Sequence, residues 1–408
     1  MSSQEGEAVL SKEMNERLTR VGPGTPLGAL LRRYWYPVAR VADLDESPVM
    51  PVGLLGEEFA LYRTNSGTFG LVARRCPHRG ASLAHGLPDE DGLRCANHGW
   101  RFDTQGQCTD MPTEPGDASC LAGVQVAAFP VQVLGGLVWT YIGPAPVPLL
   151  PRWDILVRDD LDRSIGVTHL PINFLQAMEN SMDPVHFEWL HAVYGNYVRK
   201  RQGKPPSMTP RKHEQIAFDI FEYGIYKRRL LEGENPETSD DWTTGHPVLF
   251  PYILAVGDHS RPSFQIRVPV DDTHTLHYWY RATPRTPGQP VQERVPTWDE
   301  PYVHPSGRLV VETIPGQDMM AWVTQGEISD RTTERLGASD KGIILYRNLL
   351  LEQMQKVERG EDPMGVIRDP AKNEPHIVIG REHVTLRALN IQRDVINQEA
   401  QALGLPRR

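Results

Sequence analysis

The chain has 408 residues, of which 39% are hydrophobic and 23% charged, which is enough for one large or two ordinary domains with separate cores. Its formal net charge of −9 at pH 7 disfavours nucleic acids and anionic membranes as partners. The N-terminus carries scattered charges and lacks the apolar core of a signal peptide, so we expect a cytoplasmic protein. Four cysteines in such a chain do not predict a disulfide framework, and we expect Cys108 and Cys120 to be free and structural.

Residues 41–150 have the pattern of a compact β domain. Two β-rich runs, 59–62 and 69–72, flank the turn sequence Asn65-Ser66-Gly67. Short β-rich runs on both sides of an Asn and Gly turn predict a hairpin.

A charge-free stretch closes this region. Residues 118–151 contain no charged side chain, which by length alone would suit a membrane span. Glycines and prolines interrupt the stretch, however, and its valines are separated by polar or small residues. This residue pattern favours two strands joined at Gly135-Gly136. The proline-rich residues 144–151 that follow predict a linker.

Two short motifs in the β region bring cysteine and histidine together. Cys76-Pro77-His78 is followed, after sixteen intervening residues, by Cys95-Ala96-Asn97-His98. Two thiolates and two imidazoles are the ligands of a Rieske [2Fe–2S] cluster, in which the thiolates hold one iron and the imidazoles the other. A zinc site is the alternative, but its usual spacings, C-x(2–4)-C and H-x(3–5)-H, do not match these motifs.

Helix and strand patterns mix beyond residue 151. The β-rich runs 263–268 and 276–280 predict two strands. Segments 204–206 and 233–241 are rich in turn formers and charges, so we expect mobile loops there. A long helix is predicted to start near Ser339-Asp340 and to end by Gly360, with one apolar face that contains Ile343, Tyr346, Leu350, Met354 and Val357.

A second constellation places one carboxylate and two histidines within nine residues. On an α-helix Asp183 and His186 share a face, whereas His186 and His191 diverge by about 140°. Both imidazoles can reach one metal only where the helix is broken or bulged, which Pro184 favours. Two histidines and one carboxylate on one face of an iron ion are the ligands of non-haem iron oxygenases.

The carboxylate ligand has two candidate positions. Asp183 is close in sequence to the histidines, but it can instead orient one of them without binding the metal. We favour Asp318, a lone charge before an apolar run. The other aspartates are less suitable, because Asp271-Asp272 is typical of a turn and Asp330 and Asp340 are typical of helix caps.

These motifs, in this order, resemble the oxygenase (alpha) component of the Rieske non-haem iron aromatic-ring oxygenases. The segments Arg20–Gly28, Gln317–Trp322 and Asp330–Thr332 are similar to the single-subunit, phthalate-dioxygenase-like branch of that family. The bulky residues 187–190 differ from phthalate-specific members. Residues 170–180 look closer to members that O-demethylate methoxylated lignin-derived acids such as 5,5′-dehydrodivanillate.

The resemblance implies an α+β fold with three parts. An all-β Rieske [2Fe–2S] domain would occupy residues 41–150, and a catalytic domain with an antiparallel sheet and surrounding helices would occupy 151–408. An N-terminal helical segment, 1–40, would pack on the catalytic domain. The implied metal ligands are Cys76 and Cys95 for one cluster iron, His78 and His98 for the other, and His186, His191 and Asp318 for a mononuclear non-haem Fe(II).

The resemblance also implies an assembly and an electron source. Asp183 would form a bridge to His98 of a neighbouring subunit, in a homotrimer or a dimer of trimers, because head-to-tail contacts close naturally as a ring. A separate NAD(P)H-dependent reductase would supply the electrons. The chain itself has no G-x-G-x-x-G after a strand and too few spare cysteines for a plant-type ferredoxin.

The expected function is that of a terminal oxygenase component, which uses O2 to hydroxylate or dihydroxylate an aromatic, carboxylated substrate. One alternative is an O-demethylating monooxygenase on methoxylated lignin-derived aromatic acids. A more distant one is a Rieske electron carrier, in which the residues beyond 151 would lack a role. Asn180 is expected in the catalytic site, and the candidate substrate contacts, chosen by helix position or positive charge, are Gln176, Met178, Arg199 and Arg201.

Overall fold

Short strands recur through residues 36–114 and 123–140, where the sequence predicts a β domain. The computed structural model describes residues 10–114, 123–258 and 260–380, so Cys120 lies outside them. The strands of this region are β1 (Tyr36–Arg40), β2 (Val49–Leu54), β3 (Glu57–Arg63), β4 (Phe69–Ala73), β5 (Leu87–Pro88), β6 (Gly92–Arg94), β7 (Arg101–Asp103), β8 (Cys108–Asp110), β9 (Ala128–Phe129), β10 (Val131–Leu134) and β11 (Leu137–Thr140).

Three small antiparallel sheets are built from these strands. Their orders are β2-β3-β4-β9, β5-β6-β7-β8 and β1-β11-β10. The predicted turn joins β3 to β4, with Gly67 at φ 91°, a left-handed conformation that glycine adopts at no steric cost. Gly135 and Gly136 join β10 to β11, so that both hairpin predictions are confirmed. No helix among the described residues is long and apolar enough to cross a bilayer.

The two four-stranded sheets share a small hydrophobic core. Tyr62 and Val72 enter it from one sheet, and Leu93 and Phe102 enter it from the other. The three described cysteines are buried there as free thiols, as Cys76, Cys95 and Cys108. Two of them belong to the Cys and His motifs, so this core lies directly beneath the predicted cluster.

One large mixed sheet forms the centre of the remaining structure. Its strands are β12 (Leu161–Leu170), β13 (His213–Phe221), β14 (Gly224–Leu231), β15 (His246–Leu249), β16 (Ile253–Val256), β17 (Ser263–Pro269), β18 (Thr275–Pro284) and β19 (Thr297–Asp299). Their order is β13-β14-β15-β16-β17-β18-β12-β19, antiparallel except for the last pair. The two strands predicted at 263–268 and 276–280 are confirmed as the paired strands β17 and β18.

Helices pack on strands of both regions. They are α1 (Lys12–Thr19), α2 (Pro26–Leu31), α3 (Val41–Glu46), α4 (Asp154–Val157), α5 (Phe174–Met182), a π-helix (Phe187–Tyr194), α6 (Gly195–Arg201), α7 (Asp240–Thr243), α8 (Ile314–Val323) and α9 (Lys341–Glu358), with short 3-10 turns at 83–85, 338–340 and 370–372. The long helix predicted after residue 340 is confirmed as α9, whose apolar face buries Tyr346, Leu350 and Met354. α1 and α2 pack on α9, which also packs on α5.

One predicted loop ends in a helix. Residues 233–239 form turns and loop, but Asp240–Thr243 is a short helix in which Asp241 is 5% exposed. The Asp241 carboxylate accepts a 2.7 Å hydrogen bond from Nε of the buried Arg229 on β14. Breaking such a buried ion pair is costly, so the pair holds the segment in place. The composition of the segment gave no sign of a partner on a distant strand.

Candidate metal centres

Two loops of the same conformation hold the Cys and His pairs. Cys76 follows β4, and Cys95 follows β6. In each loop the cysteine carbonyl accepts a 2.9 Å hydrogen bond from the backbone amide of a glycine four residues later, Gly80 or Gly99. These glycines have φ 75° and 76°, so each loop turns through a left-handed residue that favours glycine.

The side chains of the two loops converge. The ring centroids of His78 and His98 are 4.5 Å apart, and Trp100 stacks on His78 at 4.4 Å. Cys76 and Cys95 are both buried. Burial, together with the neighbouring Cys95 thiol, raises the pKa of Cys76 to about 11, so the Cys76 thiol resists ionisation until a metal ion binds its sulfur.

The donor set fits a [2Fe–2S] cluster. Nδ1 of His98 is buried and has no hydrogen-bond partner, which is costly for a ring nitrogen unless a ligand completes it. Two thiolates and two imidazoles match the two irons of a Rieske centre. The structure therefore brings the four residues of the sequence motifs into one site.

His186 and His191 share a face because the helix between them is a π-helix. α5 ends before Asp183, and the π-helix begins after His186 and continues through Phe187–Tyr194. Its hydrogen bonds join residues five apart, which is the spacing of the two histidines. Their ring centroids are consequently 5.2 Å apart, although the same spacing on an α-helix would turn them about 140° from each other.

Asp318 is the carboxylate that meets the two histidines. It lies on α8, where the side chain of the N-cap residue Thr313 accepts a hydrogen bond from the Gly316 amide. Its Oδ1 is 3.3 Å from Nε2 of His191 and 3.8 Å from Nε2 of His186. Ligand atoms of all three residues lie within 4.8 Å of one another, and this donor set fits Fe(II) with open positions.

Neighbouring groups orient these ligands. Oε1 of Gln317 is 3.0 Å from Nδ1 of His191, so it accepts that N–H and directs Nε2 towards Asp318. Burial alone would lower the pKa of His191, but the Asp318 carboxylate raises it, and His191 in turn holds the pKa of the buried Asp318 below its ordinary value. A metal cation can replace the proton that this pair favours.

Two more residues predicted for this site lie beside the ligands. Nδ2 of Asn180 donates to Oδ1 of Asp318 at 3.3 Å. Oδ2 of Asp183 is 3.7 Å from Nδ1 of His186, and its Oδ1 accepts from the Val185 amide at 2.8 Å. Burial would raise the pKa of Asp183, but the His186 imidazole and the Val185 amide hold it below its ordinary value. Asp183 thus lies behind a ligand and outside the ligand group.

Two candidate substrate residues on α5 are occupied by other contacts. Nε2 of Gln176 donates to the carbonyls of Trp322 at 3.1 Å and Gly326 at 3.0 Å, and its Oε1 accepts from the Ser329 amide. Both amide hydrogens are therefore used to hold the end of α8. Met178 is fully buried in the main hydrophobic core. Helix position alone did not separate these packing contacts from substrate contacts.

The two arginines chosen for their charge also make contacts outside the ligand group. Arg199 is buried, and its Nε donates to the carbonyl of Pro205 in the following loop. Arg201 is exposed at the end of α6, beside the Tyr197 ring. A basic run at the C-terminus of a helix is commonly stabilised by the helix dipole, and that role explains the charge here.

Gln317 was not predicted as a site residue, and neither were three residues of α8 and the large sheet. Gln317 is adjacent to Asp318, and an amide beside a metal ligand is a signal for a residue that orients ligands. Arg267 and His277 lie directly opposite each other on β17 and β18, near Trp322 on α8. Alternation along each strand shows the face of each residue, but the pairing register cannot be read from one strand.

Family comparisons agree with this geometry. Residues 34–130 match the Rieske [2Fe-2S] domain, and residues 303–399 match the family described as LigXa C-terminal domain like. The first range contains both Cys and His loops, and the second contains Asp318.

Relatives match most of the chain. It is 44% identical over 373 residues to the 5,5′-dehydrodivanillate O-demethylase oxygenase subunit of a Sphingobium species, with 90% of this chain and 85% of that protein covered. It is 33% identical over 378 residues to the phenoxybenzoate dioxygenase subunit alpha of Ectopseudomonas oleovorans, with 86% and 87% covered. It is 29% identical over 399 residues to the phthalate 4,5-dioxygenase oxygenase subunit of Pseudomonas putida, with 88% and 89% covered.

Solved structures share the fold. NdmA of Pseudomonas putida CBB5 has a TM-score of 0.61 at 20% identity, with 82% of this chain and 94% of that chain covered. The carbazole-bound oxygenase in a ferredoxin complex of carbazole 1,9a-dioxygenase has a TM-score of 0.60 at 18% identity, with 90% and 98% covered.

Proposed function

Because the chain belongs to the Rieske non-haem iron oxygenases, we propose that it is the oxygenase subunit of an O-demethylase that acts on methoxylated aromatic acids. As a member of this family, it is an oxidoreductase that carries a [2Fe–2S] cluster and a mononuclear non-haem iron. The observation that carries the proposal is its likeness to the 5,5′-dehydrodivanillate O-demethylase oxygenase subunit, which extends over 90% of this chain.

The donor sets support an assignment of ligands. Burial of both cysteines and the close approach of two imidazoles support the cluster site, and the three ligand atoms within 4.8 Å of one another support the iron site. In this proposal the cluster ligands are Cys76, His78, Cys95 and His98, and the iron ligands are His186, His191 and Asp318.

The bound iron, once reduced, supplies O2 activation, and the surrounding side chains hold the site in shape. Gln317 keeps the proton of His191 on Nδ1, so that Nε2 is free to bind metal. Asn180 donates to Oδ1 of Asp318 and limits rotation of the carboxylate. The ring of Phe187 packs edge-on against that of His191, with 5.6 Å between centroids.

Electrons would reach the iron from another chain. We assign the bridge to Asp183, whose side chain is 23% exposed and which would bond to His98 of a neighbouring subunit. A homotrimer, or a dimer of trimers, closes such head-to-tail contacts, and a separate cytoplasmic NAD(P)H-dependent reductase would feed it. Residues 41–150 would form the Rieske domain, 151–408 the catalytic domain, and 1–40 a helical segment packed on the latter.

The proposed reaction is balanced with two electrons. A methoxyarene, O2, two electrons and two protons give a phenol, formaldehyde and water. A second candidate is ring dihydroxylation, which the likeness to the phenoxybenzoate and phthalate dioxygenases favours. In that reaction both oxygen atoms and two hydrogens are added to the ring, and no carbon is lost.

One experiment separates the two reactions. The chemically reduced holoprotein is given O2 with 5,5′-dehydrodivanillate or 3,4-dimethoxybenzoate, and with benzoate as the unmethoxylated partner. We expect formaldehyde and phenol in equal amounts from the methoxylated acids and no product from benzoate. A product heavier by two oxygens and two hydrogens, without formaldehyde, would replace the proposal with the second candidate. Oxidation of the reduced centres without any aromatic product would contradict both reactions.

A further inference from the structure

A row of polar side chains lies on one face of the large sheet, against α8. In the β17–β18 register Arg267 pairs with His277, and Gln265 pairs with Trp279. Residues two apart on a strand point to the same face, so these four side chains share it. Trp279 packs there in a small core with Met319 and Trp322 of α8.

Arg267 carries a buried charge without an acidic partner. It is fully buried, and its Nη atoms donate to Oε1 of Gln265 at 2.6 Å and to the Gln265 carbonyl at 3.2 Å. Both acceptors are neutral. Its Nε is buried without a hydrogen-bond partner, and within the described ranges no carboxylate lies within ion-pair distance of it. A buried cation ordinarily needs both an anion and full hydrogen bonding.

Two neighbouring side chains also bury nitrogen atoms without hydrogen-bond partners. Both ring nitrogens of His277 and Nε1 of Trp322 are buried without hydrogen-bond partners. The His277 ring stacks on Trp322 at 5.6 Å, and the Arg267 guanidinium lies 5.8 Å from the centroid of the Trp322 ring. Burial, reinforced by the Arg267 charge, lowers the pKa of His277 well below its ordinary value, so this ring is neutral and offers one N–H.

The cluster adjoins the iron site. Trp322 is four residues after Asp318 on α8, which places the two side chains on one face of the helix about one turn apart. Because the Arg267 guanidinium lies 5.8 Å from the centroid of the Trp322 ring, a group bound to it would lie near Trp322, which is about one helical turn along α8 from the proposed iron ligand Asp318.

Resting on the proposed function, we propose that Arg267, His277 and Trp322 bind the carboxylate of the aromatic substrate. A carboxylate offers a negative charge for the guanidinium and enough lone pairs for the unpaired N–H groups. A neutral ligand would leave the charge of Arg267 uncompensated. Since solvent does not reach these side chains, water does not satisfy them either, and the substrate must displace neighbouring groups when it binds.

Binding measurements on the holoenzyme test this without turnover. Calorimetric affinities are compared for 3,4-dimethoxybenzoate, which has a carboxylate, and 3,4-dimethoxybenzamide, which has a neutral group of similar shape. For Arg267→Gln we expect binding of the acid to weaken by about 10- to 100-fold, because a hydrogen bond to a charged group is lost. The affinity for the amide should change less than about threefold, and Arg267→Lys, which keeps the charge, should recover part of the loss.

A matched pair of tryptophan variants provides a second test. Trp322→Phe removes the unpartnered N–H, whereas Trp279→Phe removes an N–H that already donates to Thr168 Oγ1 at 3.0 Å. We expect Trp322→Phe alone to reduce the preference for acid over amide, and this variant remains informative if Arg267→Gln does not fold. Equal weakening for acid and amide, or an unchanged preference in both Arg267→Gln and Trp322→Phe, would overturn the proposal.

The two proposals can fail separately. Benzoate binding tests the carboxylate site without a methoxy group, so an Arg267-dependent preference for benzoate over benzamide supports this site even if no formaldehyde is ever formed. Formaldehyde release from methoxylated amides and acids with equal kcat/KM would leave O-demethylation intact and remove the carboxylate site.

Discussion

The cluster loops and the iron site differ in how far apart in sequence their ligands lie. Cys76 to His98 span twenty-three residues and use two copies of one loop, each closed by a left-handed glycine. The iron site joins His191 to Asp318, which are separated by most of the large sheet. A centre built from local turns is readable from sequence, whereas a centre built across elements depends on packing that holds the elements together.

The largest expected effect is on iron content and activity, at the iron site whose proposed ligands lie far apart in sequence. His186→Ala removes one of the three proposed iron ligands, so we expect loss of the mononuclear iron and of product formation, with the cluster retained. Metal analysis should fall from about three irons per chain to about two, and the visible spectrum of the cluster should be unchanged.

His274→Ala is the matched control for this variant, because that histidine is 57% exposed in a surface turn. It should keep all its iron and its activity. Retention of the third iron or of full activity in His186→Ala would remove His186 from the ligand set.

The next effect is on stability, through the buried ion pairs of Glu179 on α5. Glu179 on α5 accepts from Arg331 at 2.7 Å and 2.8 Å and from Arg347 on α9 at 2.7 Å, and all three residues are buried. In Glu179→Gln the two buried arginines lose the carboxylate that they share. We therefore expect a loss of about 3 kcal/mol in the free energy of unfolding. Glu334→Gln removes the outer partner of Arg347, whose side chain is 21% exposed, and should cost much less in the same denaturant titration.

The same carboxylate predicts an acid dependence. Burial would raise the pKa of Glu179, but Arg331 and Arg347 hold it below its ordinary value. When the pKa of a carboxyl is lower in the folded state than in the unfolded state, its ionised form stabilises the fold. This stability is fully present above the pKa of the unfolded state, about 4.3, and is lost as the pH falls through the pKa of the folded state. Below about pH 4.3 the wild-type unfolding free energy should therefore fall more steeply than that of Glu179→Gln, and parallel slopes would contradict this.

A smaller effect is expected from the residue that orients His191. Gln317→Leu removes the acceptor for Nδ1 while keeping a side chain of similar size, so we expect iron affinity to fall about 10- to 100-fold with the fold intact. Chelator competition measures this. Gln325→Leu, on an exposed residue just after the same helix, should leave the affinity unchanged, and an equal fall in both variants would point to a general loss of stability.

The sequence predicted most of the fold and the residues that the structure brings together at both candidate sites, for reasons that differ by site. Local spacing was sufficient for the cluster loops. A broken or bulged helix between His186 and His191 followed from their spacing, from Pro184 and from the hypothesis that both histidines bind one metal. The predicted Gln176 and Met178 contacts were not supported, because spacing along α5 does not show which face meets α8 and which meets the core. Arg267 and His277 were missed because their pairing depends on strand register.

The smallest effect is on the stability of the two cluster loops, and it tests whether each loop depends only on its own backbone turn. Gly80 and Gly99 have nearly the same φ, so replacement of either by alanine forces a left-handed alanine, at about 1–2 kcal/mol. Their surroundings differ, because a Cβ at Gly80 meets nothing within 4 Å, whereas one at Gly99 lies 2.8 Å from Cγ of Pro112. Gly99→Ala should therefore lower thermal stability and cluster occupancy more than Gly80→Ala. Equal effects would mean that the loop conformation alone, and not its contact with the following segment, sets the stability of the site.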